Sequence, residues 1–127
     1  LSDNQARSPI FGLNSKLVIK DKTVAVKTGT TNNLKDNWTI GWTPSYLVAT
    51  WVGNNDGQPM SWVASGVTGA TPIWNDIMND LLKDRENETW EIPNGLVKKN
   101  ICGRDEWIIN GSEIKVNCIT TPTTTEN

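Results

Sequence analysis

The stretch NWTIGWTPSYLVATWVG, residues 37–53, decides the fold. Trp38, Ile40 and Trp42 alternate with Thr39, Gly41 and Thr43, so the two sets fall on opposite faces of an extended chain. Thr43-Pro44-Ser45 interrupts the alternation, and 46–53 resumes as a nearly continuous apolar run, as a strand covered on both faces reads. Two strands are therefore expected, 37–43 and 46–53. Upstream, TVAVKTGT (23–30) is a third β-rich run, and the three in succession make an antiparallel meander. A shorter β-rich run at 17–20 precedes it, separated by Asp21-Lys22.

Downstream, NNDGQPMSW (54–62) is a loop by composition. TGATPIWNDIMNDLLKD (68–84) predicts a helix over about 72–84, with Thr71 as cap and Pro72 at the first helical position. Ile73, Trp74, Ile77, Met78, Leu81 and Leu82 recur at helical spacing and are expected to pack on the sheet. Residues 1–15 read as irregular, with Ser8-Pro9 and FGLNS supplying turn chemistry. The fold class is α+β: an antiparallel sheet backed by a helix, with a small C-terminal β unit. Three segments are expected: 1–85, a β appendage at 86–119, and a Thr/Pro linker or tail at 120–127.

Composition narrows the chemistry. The 127 residues carry a net charge of −2 and show no basic patch with interleaved aromatics, so nothing points to nucleic acid. Histidine is absent, which removes Ser-His-Asp and Cys-His mechanisms and argues against a transition-metal site. Acid–base work would fall to lysine, carboxylates or hydroxyls. The seven tryptophans are assigned to core packing by default, with Trp62 in the loop the one expected at the surface. No apolar run approaches the ~20 residues of a membrane span. The chain starts at Leu1 and reads like the middle of a protein, so a fragment is expected.

Cys102 and Cys118 flank a stretch with Asn110-Gly111 at its middle. Asn-Gly between short alternating runs is a strong hairpin signal, because both residues accept positive φ. A hairpin centred there has Ile109 facing Ser112 and brings residues 102 and 118 nearly opposite each other, close enough to bridge. A disulfide would indicate an oxidising compartment. The alternative is two free buried thiols.

The remaining question is what AVKTGTTNN, residues 25–33, does. Lysine precedes the glycine, and Asp21 and Val26 stand where the two Walker A glycines would be, so a Walker A loop fails on order, and no G-x-G-x-x-G is present. As a strand, it projects Lys27 and Gly29 to one face and Thr28 and Thr30 to the other. A strand glycine marks a place where a ligand or another backbone approaches closely. Hydroxyls at 30 and 31 can hold a carboxylate, an edge strand can pair with an extended peptide, and a backbone N–H can serve an oxyanion hole.

K-T-G-T followed by TNNLKDNWTIGWTPSYLVATWVGNNDG and GVTGATPIWNDIM resembles the penicilloyl-serine transferases. The resemblance is to the C-terminal part of the transpeptidase domain of class A, bifunctional penicillin-binding proteins, closest to their 1C branch, which LSDNQARSPIFGLNS also matches. It covers residues 1 to about 85. It implies a peptidoglycan D,D-transpeptidase that also binds penicillin, working through an acyl-serine with no cofactor and no metal. By resemblance, Lys27 is catalytic, supplying positive charge and a proton-relay contact. Thr28, Gly29, Thr30 and Thr31 are substrate-binding: Gly29 keeps the strand open, the Thr30 N–H completes the oxyanion hole, and the Thr30 hydroxyl, with Thr31, holds the substrate carboxylate. Implied partners are D-Ala-D-Ala stem peptides, β-lactams and the remainder of the domain, in a membrane-anchored parent with a glycosyltransferase half at the periplasmic face of the bacterial inner membrane.

The family needs two further motifs, a helix-borne S-x-x-K with the nucleophile and an S-x-N. Ser112-Glu113-Ile114-Lys115 matches the first in letters but falls in an expected strand, and Ser2-Asp3-Asn4 stands too near K-T-G for the second. Both are read as decoys, so the isolated chain is expected to be inactive. Alternatives are a serine β-lactamase or D-Ala-D-Ala carboxypeptidase fragment, and a non-catalytic wall-binding module carried by the tryptophans and residues 96–118.

Overall fold

The protein is described by a computed structural model covering residues 1–60, 68–112 and 115–118. The chain separates into two compact units, Leu1–Trp90 and Glu91–Asn127. In the first, helix α1 (Asn4–Phe11) precedes strands β1 (Ala25–Thr30), β2 (Asp36–Trp42) and β3 (Leu47–Gly53), and helix α2 (Ala70–Leu82) follows. The sheet order is β1-β2-β3, antiparallel throughout, as the alternation and turn signals predict.

Helix α1 corrects the reading of residues 1–15 as irregular. Asp3 caps it, its Oδ1 accepting from Gln5 N (2.8 Å) and Ala6 N (3.1 Å). Pro9 lies inside the helix and cannot donate to the Gln5 carbonyl, but the Ser8 hydroxyl does so at 2.9 Å. The dipeptide taken as turn chemistry thus repairs its own defect. Gly12, at φ 76°, ends the helix and donates to Ser8 O.

Residues 17–20 form no strand. Leu17 and Ile19 are buried, but the backbone between them is held by a side chain: Asn75 Nδ2 donates to Lys16 O (2.8 Å) and Val18 O (3.3 Å). A buried helix amide has taken the place of a neighbouring strand. With Val24, Val26, Trp74, Met78 and Leu82 these residues make the core between β1 and α2.

Two further expectations are reversed by the sheet. Cross-strand partners put Lys27, Gly29, Trp38, Ile40, Ala49 and Trp51 on one face, and Thr28, Thr30, Asn37, Thr39, Gly41 and Thr50 on the other. Helix α2 covers the second face, the polar one. Trp38 (41% exposed) and Trp51 (39%) therefore stand outside the core to which they were assigned, while Trp74 is fully buried. On α2 itself Ile73 and Ile77 are exposed, and Ala70, Thr71 and Asn75 take part in the buried face with Trp74, Met78 and Leu82. The expected stripe is rotated because the small, polar surface of β2 accepts the helix closely. Gly41 lies directly beneath the Trp74 ring.

The start of α2 also differs. Gly69 is the N-cap and makes no side-chain cap, Thr71 is inside the first turn, and Pro72 follows it, where its missing N–H costs nothing. The capping is supplied across the fold, since Asn37 Oδ1 accepts from Ala70 N at 2.7 Å. Thr39 Oγ1 and Thr71 Oγ1 pair at 2.8 Å, and Thr50 Oγ1 donates to Ala70 O at 2.9 Å. After the helix, Asn87 brackets Thr23 and Glu88 accepts from Ser45 N and Oγ, so both stay with the first unit.

The second unit holds a hairpin of β4 (Leu96–Ile101) and β5 (Arg104–Ile109). Its turn is Cys102-Gly103, both at positive φ (52° and 81°), as a two-residue primed turn requires. This corrects the placing of the hairpin about Asn110-Gly111. There only Gly111 has positive φ, and Ser112 N donates to Ile109 O at 3.0 Å, closing a plain turn after β5. Cys102 and Cys118 are bridged, with Cα atoms 5.4 Å apart, from the hairpin tip rather than from its open end. Trp62 and the tail from 119 onward lie outside the described residues, as do Glu113 and Ile114 of the S-x-x-K look-alike.

Candidate active-site strand

Strand β1 is an edge strand among the described residues, and its backbone polarity can be worked out residue by residue. In an antiparallel pair, each residue turns both its backbone groups toward the partner or both away. Val26 N points away from β2, donating to Leu1 O at 3.2 Å. With period two, Thr28 and Thr30 turn their N–H and C=O groups outward as well, while Lys27 and Gly29 pair with β2. Consistently, Thr31 N reaches inward to Asp36 O at 3.0 Å.

Lys27, Gly29, Thr30 and Thr31 are exposed and Thr28 is half-buried. Nothing beyond Trp38 Cβ, at 4.0 Å, comes near the space above Gly29, so the ground beside Lys27 is open. The Lys27 ammonium donates to Thr28 O. The two threonines that follow are in unlike situations. Thr31 Oγ1 accepts from Asp36 N (2.9 Å) and donates to Asp36 Oδ2 (3.1 Å), and Trp51 Nε1 donates to Asp36 Oδ1 (3.0 Å). Its hydroxyl is committed to the β1–β2 turn. Thr30 Oγ1 receives Asn37 Nδ2 at 3.0 Å.

The strand thus brings Lys27, Gly29 and the outward N–H of Thr30 to one edge, and sequence reading alone missed Asp36 and Asn37, which hold its end. Their signal was faint. Asp36 is a lone carboxylate between two predicted strands, and Asn37 occupies the polar phase of β2, which alternation assigns to solvent.

Of the two decoys, Asp3 caps α1 and Asn4 Nδ2 donates to Leu13 O. Ser112 Oγ donates to Ile109 O. Among the described residues no cluster of His, Cys, Asp and Glu is placed to hold a metal, and no helix is long and apolar enough to cross a membrane.

Comparison with known proteins leads to the penicillin-binding proteins. The chain is 38% identical over 77 residues to penicillin-binding protein 1A of Neisseria meningitidis, covering 61% of this chain and 10% of that protein. It is 38% identical over 85 residues to penicillin-binding protein 1A of Pseudomonas aeruginosa, covering 67% and 10%. A crystal structure of penicillin-binding protein 1A from Haemophilus influenzae superposes with a TM-score of 0.67 at 30% identity, covering 74% of this chain and 16% of that one. No family model matches. The chain is therefore a relative of the class A penicillin-binding proteins, resembling a C-terminal region of them and sharing the transpeptidase fold there. It spans about a tenth of the length of the curated relatives it matches. Those relatives are of the 1A type, and the likeness to the 1C branch rests on the sequence resemblance.

Proposed function

We propose that this chain is part of a peptidoglycan D,D-transpeptidase of the bacterial cell envelope and supplies its substrate-binding, oxyanion-hole strand. The observation that carries the reading is the outward N–H of Thr30 at a sheet edge left open among the described residues, beside the open ground of Gly29 and the Lys27 ammonium.

The proposed reaction is acyl transfer. A serine hydroxyl elsewhere in the parent adds to the penultimate D-Ala carbonyl of a stem peptide, and its proton passes through neighbouring basic groups, Lys27 among those that stabilise the relay. The carbonyl oxygen becomes an oxyanion that accepts from Thr30 N. The C–N bond breaks, terminal D-Ala leaves as its amine, and an amine of a second strand then attacks the ester and releases the serine. The Thr30 hydroxyl, with Thr28 beside it, binds the substrate's terminal carboxylate. Thr31 is assigned to the turn, because Asp36 occupies its hydroxyl.

The rest of the transpeptidase domain packs on the bare face bearing Trp38, Ile40 and Trp51, the face Lys27 shares. Such a contiguous apolar surface is characteristic of an interaction site. The nucleophile lies on that missing part, so the isolated chain is inactive.

The test uses a fluorescent penicillin. The full polypeptide containing this segment gives a labelled band that survives denaturation, and the 127-residue chain gives none. Absence of a band from the full polypeptide refutes the reading.

A further inference from the structure

We propose that Asn37 is a positioning residue that fixes the Thr30 hydroxyl as a hydrogen-bond donor for the substrate carboxylate, an inference resting on the carboxylate-binding role just assigned to Thr30. Asn37 is fully buried, yet both ends of its amide are occupied. One end settles the orientation of the other. Ala70 N is a backbone donor and cannot accept, so the atom it meets at 2.7 Å is the amide oxygen, Oδ1. The amide nitrogen must then face β1, where it lies 3.0 Å from Thr30 Oγ1 and 3.5 Å from Gly29 O.

An amide nitrogen donates and does not accept. Thr30 Oγ1 must therefore accept from Asn37, and its own hydrogen is turned away toward the exposed side of the strand end. A free threonine hydroxyl rotates among donor and acceptor states. This one is held as a donor outward, and a carboxylate is an acceptor only. The start of α2 is thus connected through a single amide to the atom proposed to meet the substrate, and Asn37 does so without touching the substrate itself.

Asn37→Asp separates positioning from structure. The introduced carboxylate keeps the shape and still accepts from Ala70 N, at a helix N-terminus that favours negative charge. It can only accept from Thr30, however, so it draws the hydroxyl hydrogen inward and places negative charge behind the site.

The experiment measures acylation rates of the full polypeptide containing this segment with benzylpenicillin and with its methyl ester, together with thermal melting. The unsubstituted protein is expected to favour the free carboxylate. Asn37→Asp should reduce the carboxylate-to-ester ratio by roughly ten- to a hundredfold, the range for losing a hydrogen bond to a charged group. Thr30→Val should reduce it comparably, and adding Asn37→Asp to Thr30→Val should lower it further only by the smaller effect of the added charge on the substrate carboxylate.

A folded Asn37→Asp protein with an unchanged ratio overturns the positioning role and leaves the transpeptidase reading standing. An unchanged ratio in Thr30→Val overturns it too, by removing the hydroxyl from carboxylate binding. No acylation of the unsubstituted protein defeats the transpeptidase reading and this inference together. If Asn37→Asp does not fold, Asn37→Ala decides, since it frees the hydroxyl to rotate and must still lower the ratio, by a smaller factor.

Discussion

Trp74 lies across Gly41: a Cβ built on Gly41 would come within 2.3 Å of Trp74 Cζ2. The ring is fully buried between α2 and the sheet, so it has no free direction in which to yield. Gly41→Ala is expected to destabilise by about 1–3 kcal/mol through overpacking, more than the ~0.4–1 kcal/mol that losing a glycine gains through the unfolded chain. A lowered melting temperature with unchanged secondary structure checks this; an equal or raised one contradicts it.

Asn75 substitutes for a strand neighbour along residues 16–18. Asn75→Ala leaves two carbonyls without their donor and should cost about 1–3 kcal/mol. Hydrogen exchange localises the effect, with amides of 17–20 exchanging faster while those of β2 and β3 keep their relative protection.

The bond between Cys102 and Cys118 closes a loop of sequence separation 16. Cys118→Ser should destabilise the second unit by about 3 kcal/mol in the chain-entropy account, read as lost amide protection over residues 96–109. Cys102→Asn removes the same bond but puts a better residue at φ 52° ahead of Gly103. It should therefore lose less protection than Cys118→Ser, and equal losses would refute the role assigned to the turn.

Asp105 is held below the ordinary carboxylate value of 3.8, first by the Asn100 amide and then by Lys98. Because its folded value is depressed, its contribution is complete above the ordinary value and disappears as pH falls through the folded one. The group is exposed, so the effect is small. Hairpin protection followed from about pH 6 to about pH 2 should show a loss that Asp105→Asn abolishes.

The meander and the long helix were legible because alternation and helical spacing report local geometry directly. Residues 37–43 read as a strand and β2 is Asp36–Trp42; 46–53 became Leu47–Gly53 and 72–84 became Ala70–Leu82. Which face of the sheet meets the helix was not legible. Hydrophobicity assigned Trp38 and Trp51 to the core, whereas the helix sits on Asn37, Thr39 and Gly41, and only pairings across 20 to 33 residues reveal it. The hairpin turn was misplaced for a related reason. Asn110-Gly111 carries the stronger local signal, but Cys102-Gly103 is the position from which Leu96 can meet Ile109 and Val97 can meet Ile108. At the candidate site, Lys27, Gly29 and Thr30 could be singled out by motif. Asn37 could not, since its importance lies in what each end of one amide touches.

The polar underside of the sheet has a consequence for specificity. Sliding β2 by one residue would turn Trp38 and Ile40 beneath the helix and present Asn37 and Thr39 to water, an exchange that hydrophobicity by itself would favour. What opposes that alternative is a set of matched partners that exist in one alignment alone: Asn37 with Ala70, Thr39 with Thr71, and Thr50 with Ala70. The buried polar groups act as a key for strand register, and they leave the aromatic face outward, in the position where another surface can find it.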